Sequence, residues 1–184
     1  WRISLKNRIL VIAVHPDDET LGCGGTLLKH KDNGDKINWL ICTTLNKNHK
    51  YYQKRDKEIK KVSKLYSFNS VHNLSFETTK VDQYSMMEII EKISNVIFKV
   101  KPNIIYLPFK EDIHTDHKKI FEASHSCTKS FRYSFIKKIY MMETLSETEF
   151  APNIKKEGFM PNTFVDVSKY MRKKIQIMKV YKSE

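Results

Sequence analysis

Acidic residues and histidines are concentrated in two short segments of this 184-residue chain. His15–Glu19 reads His-Pro-Asp-Asp-Glu, and Glu111–His117 reads Glu-Asp-Ile-His-Thr-Asp-His. Together these 12 positions hold six of the 21 acidic residues and three of the seven histidines. Carboxylates at this density repel one another unless a cation lies between them, and imidazole with carboxylate is a ligand set that zinc accepts. The two segments therefore predict a divalent-metal site.

Three of these side chains suffice for a catalytic zinc site, which needs three protein ligands and one open position for water. His15 and Asp18 can converge because the chain turns sharply at Pro16, and His117 can complete the set. His114 lies three residues before His117, so a helix that begins near His114 would place both on one face. A metal in such a site lowers the pKa of water and polarises a carbonyl, which is the chemistry of a hydrolase.

A carboxylate and an imidazole then remain for proton transfer. Asp17 is predicted to take a proton from water as the general base. His114, charged or hydrogen-bonded through Asp116, would stabilise an oxyanion or protonate a leaving nitrogen. Each motif also has a simpler interpretation: Asp17 and Asp18 could cap the following helix, and His-x-x-His is common on surfaces. Because both motifs follow strands predicted to be buried, a metal site is the preferred interpretation.

The net charge of +12 invites a nucleic-acid or anionic-membrane hypothesis. The excess comes from 28 Lys and only 5 Arg, and it is spread along the whole chain. A protein that recognises bases would use more Arg, which binds guanine with two hydrogen bonds. We therefore predict no nucleic-acid partner, and expect the basic exterior at most to favour an anionic substrate.

Membrane and disulfide classes are also disfavoured. The longest apolar run, Ile9–Val14, is far below the ~18 residues that a membrane-spanning helix needs, so no transmembrane segment is predicted. Cys23, Cys42 and Cys127 are an odd number without paired spacing, which argues against a disulfide framework and a CxxC zinc site. These features predict a reducing, cytoplasmic location.

Alternating strands and helices must position the two acidic segments. Strands are predicted at 9–14, 37–43, 71–74, 104–107, 136–142 and 163–167, and helices at 20–33, 51–66, 85–100, 117–130 and 168–181, the last capped by Ser168. This order predicts an α/β, three-layer Rossmann-like fold with a mostly parallel sheet flanked by helices. Both acidic segments then follow carboxyl ends of strands, where such folds carry their chemistry. Gly22–Gly25 lacks the P-loop pattern and is expected to let the first helix approach the sheet, and 146–162 is a candidate active-site loop.

The first acidic segment belongs to a longer pattern, because Val14–Leu27 resembles the A/P-H-P-D-D-E signature and glycine-rich helix of the LmbE-like, or PIG-L, N-acetylglucosaminyl deacetylases. Asp112–His117 is similar to the second family motif, H-x-D-H, and Arg55–Glu58 to its R-x-x-E. Glu143–Glu184 also resembles members of the family, so the similarity covers most of the chain. The resemblance implies a zinc-dependent hydrolase that removes acetyl from an N-acetylated amino sugar, with residues 1–184 forming a single LmbE-like domain.

The resemblance also implies roles for individual residues. The zinc ligands would be His15, Asp18 and His117, and Fe²⁺ or Co²⁺ would suit the same ligands as Zn²⁺. Asp17 would be the general base.

The remaining implied roles concern the leaving group and the substrate. His114 matches the second catalytic histidine of the family, with Asp116 as its orienting partner. Arg55 matches a substrate-contacting arginine, and the alternative is a surface ion pair with Glu58.

The sequence departs from the family pattern in two places. Thr44–Asn46 reads Thr-Leu-Asn where the family commonly has Thr-x-Gly, which would reshape the substrate rim. Family members usually continue past the position of Glu184, so C-terminal residues that form pocket wall or oligomer contacts would be missing, and a homo-oligomer is left open.

The predicted substrate is an N-acetyl-hexosamine attached to a nucleotide, a lipid, a thiol-precursor aglycone or a polysaccharide intermediate. Two alternatives to this deacetylase remain. One is a catalytically silent α/β binding module for an anionic partner, and the other is a related hydrolase of another amide.

Overall fold

Strands and helices alternate along the protein, whose computed structural model describes residues 6–151 and 158–183. The strands are Arg8–Ala13 (β1), Lys36–Thr44 (β2), Ser70–Glu77 (β3), Ile104–Leu107 (β4) and Lys138–Met141 (β5). The helices are Asp18–Asp32 (α1), Tyr52–Tyr66 (α2), Met86–Val100 (α3), Thr115–Ser126 (α4) and Met171–Met178 (α5), with single 3₁₀ turns at Val81–Gln83 and Ser168–Tyr170.

The five strands form one parallel sheet in the order β3-β2-β1-β4-β5. β1 is central, and Ile9 lies opposite both Ile37 of β2 and Ile104 of β4. Side chains of β1 alternate between two apolar layers, one formed with α3 and α4 and the other with α1, α2 and α5. Strands covered on both faces read as continuous apolar runs, which is why 9–14 could be recognised. The predicted α/β fold is confirmed.

A capping residue sets the start of α3, and a periodic apolar pattern sets its buried face. α3 begins after Ser85, whose side chain accepts a hydrogen bond from the backbone N–H of Glu88. Ile89, Ile93 and Ile97 then bury one face at helical spacing, so the predicted helix 85–100 is confirmed.

The C-terminal elements differ from the prediction. Residues 163–167 form no strand and pair with no strand of the described sheet, and Phe164 is 81% exposed, so an apolar run here does not mark a buried strand. The predicted helix 168–181 is a 3₁₀ turn followed by the shorter α5. The N-cap of this turn is Val167 and not Ser168, and Oδ1 of Asp166 accepts the backbone N–H of Ser168 at 2.9 Å. Of the predicted loop 146–162, residues 152–157 lie outside the described residues.

Two glycines let α1 pack closely against neighbouring parts of the chain, and at Gly22 this neighbour is the end of the sheet, as predicted. A Cβ atom at Gly22 would lie 2.7 Å from the sulfur of Met142, directly after β5. A Cβ atom at Gly25 would lie 2.7 Å from Cβ of Val167. Both separations are shorter than real carbon contacts, so a side chain at either position would push α1 outward.

Asp35 ties the start of β1 to the end of α1. Its Oδ1 accepts hydrogen bonds from the backbone N–H of Asn7 at 2.8 Å and from the side chain of Asn7 at 3.1 Å. Its Oδ2 lies 2.7 Å from Nδ1 of His30. Burial alone raises the pKa of Asp35, but the bonds from His30 and Asn7 outweigh burial and hold this pKa below its ordinary value.

We predict that Asp35→Asn lowers the free energy of unfolding by about 1.5–3 kcal/mol at pH 7, the usual range for hydrogen bonds to a charged group. Because the folded-state pKa is lower than the unfolded value of about 3.9, this stabilisation is present above the unfolded pKa and disappears as pH falls through the folded one. Urea unfolding at pH 7 and at progressively lower pH measures the effect. The difference between wild type and variant should shrink in acid, and a difference independent of pH would contradict the prediction. Asp56→Asn, in an exposed pair with Lys60, should change stability by less than about 1 kcal/mol.

Candidate metal centre

The two acidic segments meet because β1 and β4 are parallel neighbours. The first segment leaves the carboxyl end of β1 and enters α1 at Asp18, and the second leaves β4 and enters α4 at Thr115. Nitrogens of His15 and His117, 102 positions apart in sequence, are thereby brought within 3.3 Å. The amino ends of both helices also lie here, where their dipoles favour carboxylates.

Three potential ligand atoms face one another at the centre of this region. Nε2 of His117 lies 3.3 Å from Nδ1 of His15 and 3.4 Å from Oδ2 of Asp18, and the third side of the triangle is 3.9 Å. Ligands about 2.0–2.1 Å from a tetrahedral ion are separated by about 3.3–3.4 Å, so two sides match and the third is slightly wide. His117 is fully buried and Asp18 is 3% exposed. The structure thus brings the three predicted ligands together at spacings that fit one small divalent cation.

A buried carboxylate orients His117. Nδ1 of His117 lies 2.8 Å from Oδ2 of Asp112, and Oδ1 of Asp112 accepts the hydroxyl of Thr148 at 2.7 Å. The proton of His117 therefore belongs on Nδ1, which leaves the lone pair of Nε2 directed at the other two ligands. Carboxylates behind metal-binding histidines act in this way. Sequence reasoning gave neither Asp112 nor Thr148 a role: Asp112 stands in the second acidic segment, whereas no local signal marks Thr148.

A second carboxylate orients His15. Its Nε2 lies 3.3 Å from Oδ2 of Asp116, and its backbone N–H donates to Oδ2 of Asp18 at 2.8 Å. Asp116 also accepts the backbone N–H groups of Thr79 and Val81 at 2.7 and 3.2 Å. Burial alone would raise the pKa of Asp116. The hydrogen bonds with His15, Thr79 and Val81 lower this pKa by more than burial raises it, so the pKa lies below its ordinary value and the carboxyl stays ionised. The carboxylate of Asp116 therefore hydrogen-bonds to His15 and to the 79–81 backbone, whereas the predicted link between Asp116 and His114 is made by the backbone N–H of Asp116.

His114 is itself the N-cap of α4. Its Nδ1 accepts the backbone N–H of Asp116 at 3.1 Å, so a neutral His114 carries its proton on Nε2. Its ring centre lies 4.7 Å from that of His15 and 5.6 Å from that of His117. Burial and the neighbouring His15 lower the pKa of His114.

A second group of ligand atoms, from His15, His114 and Asp116, also lies within 4.8 Å. It shares His15 with the first group, and one neutral imidazole has one lone pair to offer. The oxygens of Asp116 already accept two backbone N–H groups. The first group is the better cation site because His117 directs an available lone pair into it.

The charge balance of the region also calls for a cation. Although burial lowers the pKa of His117, the carboxylates of Asp18 and Asp112 raise it to about 9. A buried site that binds a proton so firmly favours positive charge, since buried carboxylates are costly unless compensated.

Asp17 occupies an unusual backbone conformation beside Asp18. Its φ is 133°, which residues other than glycine rarely adopt and which costs about 1–3 kcal/mol. Its carbonyl accepts the backbone N–H groups of Thr20 and Leu21, so it holds the N-cap position of α1. Its side chain makes no capping hydrogen bond, so capping does not explain the carboxylate. Strain of this kind is typical of functional residues.

Part of the predicted active-site loop reaches the centre. The carbonyl of Glu147 accepts the backbone N–H of Ile113 at 3.2 Å, next to the bond from Thr148 to Asp112. The side chain of Glu147 is half-buried, and its pKa is raised chiefly by that burial. Hydrogen bonds with this loop therefore hold the second acidic segment in position.

Arg55 is buried, with 6% of its surface exposed, and contacts the end of the described chain. Its Nε donates to Oγ of Ser183 at 3.0 Å and its Nη2 to the carbonyl of Ser183 at 2.9 Å. Glu58 accepts the backbone N–H of Lys182 at 3.1 Å and the hydroxyl of Ser183 at 2.5 Å. The alternative interpretation of Arg55 and Glu58 as an exposed surface pair is therefore wrong, because both residues are buried. The substrate contact of Arg55 stays a prediction.

Comparison with known proteins agrees with this arrangement. Residues 10–128 match the sequence model of the family PIG-L, described as GlcNAc-PI de-N-acetylase. The chain belongs to the PIG-L family. Its relatives include the diacetylchitobiose deacetylase of Thermococcus kodakarensis, 24% identical across 96% of this chain and 70% of the relative. The uncharacterized deacetylase YaiS of Escherichia coli is 28% identical across 97% and 92%.

Solved structures show the same PIG-L fold. The conserved protein TT1542 of Thermus thermophilus superposes with a TM-score of 0.79 at 22% identity, across 97% of this chain and 80% of that one. The hydratase GalB of Pseudomonas putida gives 0.73 at 15% identity, across 96% and 79%. The teicoplanin deacetylase Orf2 in a zinc-inhibited form gives 0.72 at 13% identity, across 95% and 83%. A fold shared with a hydratase does not decide the reaction, so the site must.

Within residues 6–151 and 158–183, every helix is too short or too polar to cross a bilayer.

We predict that Asp112→Asn weakens divalent-metal binding about 10–100-fold, because His117 loses the charge that orients it. His117→Ala should remove a ligand and weaken binding further. Titration of metal-free protein with Zn²⁺ or Co²⁺ against a competing chelator measures both. His72→Ala, on the sheet-edge strand β3, is the matched control and should bind as wild type does. Unchanged affinity in both site variants would place the cation elsewhere.

Proposed function

We propose that this protein is a metal-dependent N-deacetylase that removes the acetyl group from an N-acetylated amino-sugar conjugate. The observation that carries the proposal is the buried triangle of His15, Asp18 and His117, with sides of 3.3 to 3.9 Å, beside the strained Asp17. A cation site next to a carboxylate and an imidazole is the set that amide hydrolysis needs.

The substrate class is supported by family and relatives together. The PIG-L description names a GlcNAc conjugate of PI, and a relative is named for diacetylchitobiose. These names share an N-acetylated sugar and differ in what is attached to it. We therefore propose an N-acetyl-hexosamine conjugate, and the net charge of +12 favours an anionic attached group through electrostatic steering.

His15, Asp18 and His117 would hold the metal, for which Zn²⁺ is proposed and Fe²⁺ or Co²⁺ are alternatives. When bound, such a cation would polarise the amide carbonyl and lower the pKa of the attacking water. A relative was solved in a zinc-inhibited form, so the activating metal has to be determined by loading each ion separately.

The chain's own groups would move the protons. Asp17 would accept a proton from the attacking water and pass it to the leaving nitrogen. His114 would donate a hydrogen bond from Nε2 to the oxyanion, because the backbone N–H of Asp116 occupies Nδ1. This tautomer favours oxyanion stabilisation over proton donation. Asp116 would act by holding His15, and Arg55 is kept as a proposed substrate contact although Ser183 engages two of its nitrogens.

Location and organisation are further parts of the proposal. Cys23, Cys42 and Cys127 are buried free thiols, which suits a reducing compartment and supports a cytoplasmic location. We also propose that the chain forms a single deacetylase domain and leave self-association as a prediction.

An amine-release assay tests the function. Metal-free protein and protein reloaded with Zn²⁺, Fe²⁺ or Co²⁺ are incubated with N-acetylglucosamine, diacetylchitobiose and phosphate-bearing N-acetylglucosamine conjugates. We expect amine and acetate in equal amounts from at least one conjugate, and only with metal. No amine release with any metal would overturn the proposal and favour a silent binding module, while release from a non-sugar amide alone would favour a different amide hydrolase.

We predict that Asp17→Asn lowers kcat by about 10²–10⁴-fold, because proton transfer by a positioned base contributes that much, while bound metal is unchanged. His114→Ala should lower kcat by about 10²–10³-fold through loss of an oxyanion donor. Steady-state kinetics with metal analysis measures both. Asp56→Asn on the exposed face of α2 is the control. Full turnover by Asp17→Asn would show that the base is misassigned.

A further inference from the structure

Glu19 is a fully buried carboxyl that the proposed mechanism does not use. Three donors converge on it: the backbone N–H of Asp17 at 3.2 Å, the hydroxyl of Thr20 at 2.5 Å and the hydroxyl of Tyr181 at 2.8 Å. Burying a carboxyl is expensive, and a hydrophobic residue would fill the same space at lower cost. The arrangement therefore needs a role beyond packing.

The bond to the backbone of Asp17 suggests that role. Asp17 is the residue with φ of 133°, and a strained conformation persists only where surrounding contacts over-determine it. Its carbonyl is held by the first turn of α1, and its N–H is held by Oε2 of Glu19. The two ends of this strained residue are thus fixed, and the direction of its Cα–Cβ bond is set with them.

Tyr181 holds Glu19 from the far end of the chain, 162 positions away. Its ring is buried just beyond α5, in the apolar layer that α5 shares with α1 and α2. The next two residues, Lys182 and Ser183, are hydrogen-bonded to Arg55 and Glu58 of α2. The R-x-x-E pair therefore anchors the segment that carries Tyr181 to Glu19.

We propose that Tyr181 and Glu19 are positioning residues for Asp17, and that Arg55 and Glu58 serve the site by anchoring the 181–183 segment. The hydroxyl of Tyr181 fixes Glu19 and Glu19 fixes the backbone of Asp17, which sets the point from which the Asp17 side chain extends, next to Asp18 in the chain. The catalytic consequence rests on the proposed deacetylase function, whereas the structural link does not.

Tyr181→Phe removes one oxygen and keeps the buried ring, so it tests the link with little disturbance. Tyr170→Phe is the matched control, because the hydroxyl of Tyr170 also donates to a carboxylate of α1, that of Asp32, at 2.9 Å but at the opposite end of the helix. The probe is the backbone amide of Asp17, followed by hydrogen exchange in NMR spectra. We expect exchange about 10-fold faster in Tyr181→Phe, through easier local opening, and unchanged in Tyr170→Phe. Equal exchange in wild type and both variants would overturn the proposal.

Kinetics test the catalytic consequence. Tyr181→Phe should lower kcat by about 10–100-fold, the effect of a slightly misplaced catalytic group, with KM and bound metal unchanged. In an Asp17→Asn background the same substitution should have no further effect, since its action passes through the Asp17 carboxylate. A loss of kcat that persists undiminished in that background would show a merely structural role and overturn the proposal.

The two measurements separate failure of this inference from failure of the proposed function. If wild-type protein releases no amine with any metal, the deacetylase proposal fails, and Asp17 amide exchange still decides whether Tyr181 holds Asp17. If wild type is active and Tyr181→Phe retains full kcat, the positioning role is wrong while the deacetylase proposal stands.

Discussion

The parallel pairing of β1 with β4 is the constraint on which the site depends. Ile9 lies opposite Ile104, so both strands end at the same edge of the sheet and deliver one acidic segment each. Hydrogen bonds between strand backbones, and not attraction between the site residues, place the two segments together. The fold can therefore concentrate carboxylates that would separate if they were free to do so. α1 and α4 begin at this edge, and their amino-terminal dipoles offset part of the repulsion.

The backbone brings several carboxylates together, and their negative charge must still be compensated by neighbouring groups. Each histidine proposed to bind the metal is backed by a carboxylate of the second acidic segment, Asp112 behind His117 and Asp116 behind His15. The carboxylates of Asp18 and Asp112 raise the pKa of His117, as expected where negative charge surrounds a buried imidazole. A cation held by Asp18 and the two histidines completes the balance, so electrostatics and ligand spacing independently call for the same occupant.

Sequence alone predicted the features that are local or strongly periodic. The buried strand at 9–14, the periodic helix at 85–100 and the proposed ligand set of His15, Asp18 and His117 all follow from short patterns. It missed Thr148, because a threonine 31 positions after His117 has no local mark of its contact with Asp112. It predicted a strand at 163–167 because an apolar run reads alike whether it is buried or exposed. The predicted link between Asp116 and His114 runs through the backbone N–H of Asp116, while its carboxylate lies against His15, because spacing cannot tell which of two nearby histidines receives a carboxylate.

The contacts that support the proposed metal ligands and those that support the proposed general base come from different parts of the chain. Asp112 and Asp116 lie within five residues of His117, so one short segment carries both carboxylates that contact His15 and His117. Asp17, by contrast, depends through Glu19 on Tyr181, which only the folded C-terminal segment can deliver. The proposed metal binding and the proposed proton transfer would therefore be separable properties of this site. The R-x-x-E pair on α2 need not touch substrate to affect it, because this pair anchors residues 182 and 183, which follow Tyr181.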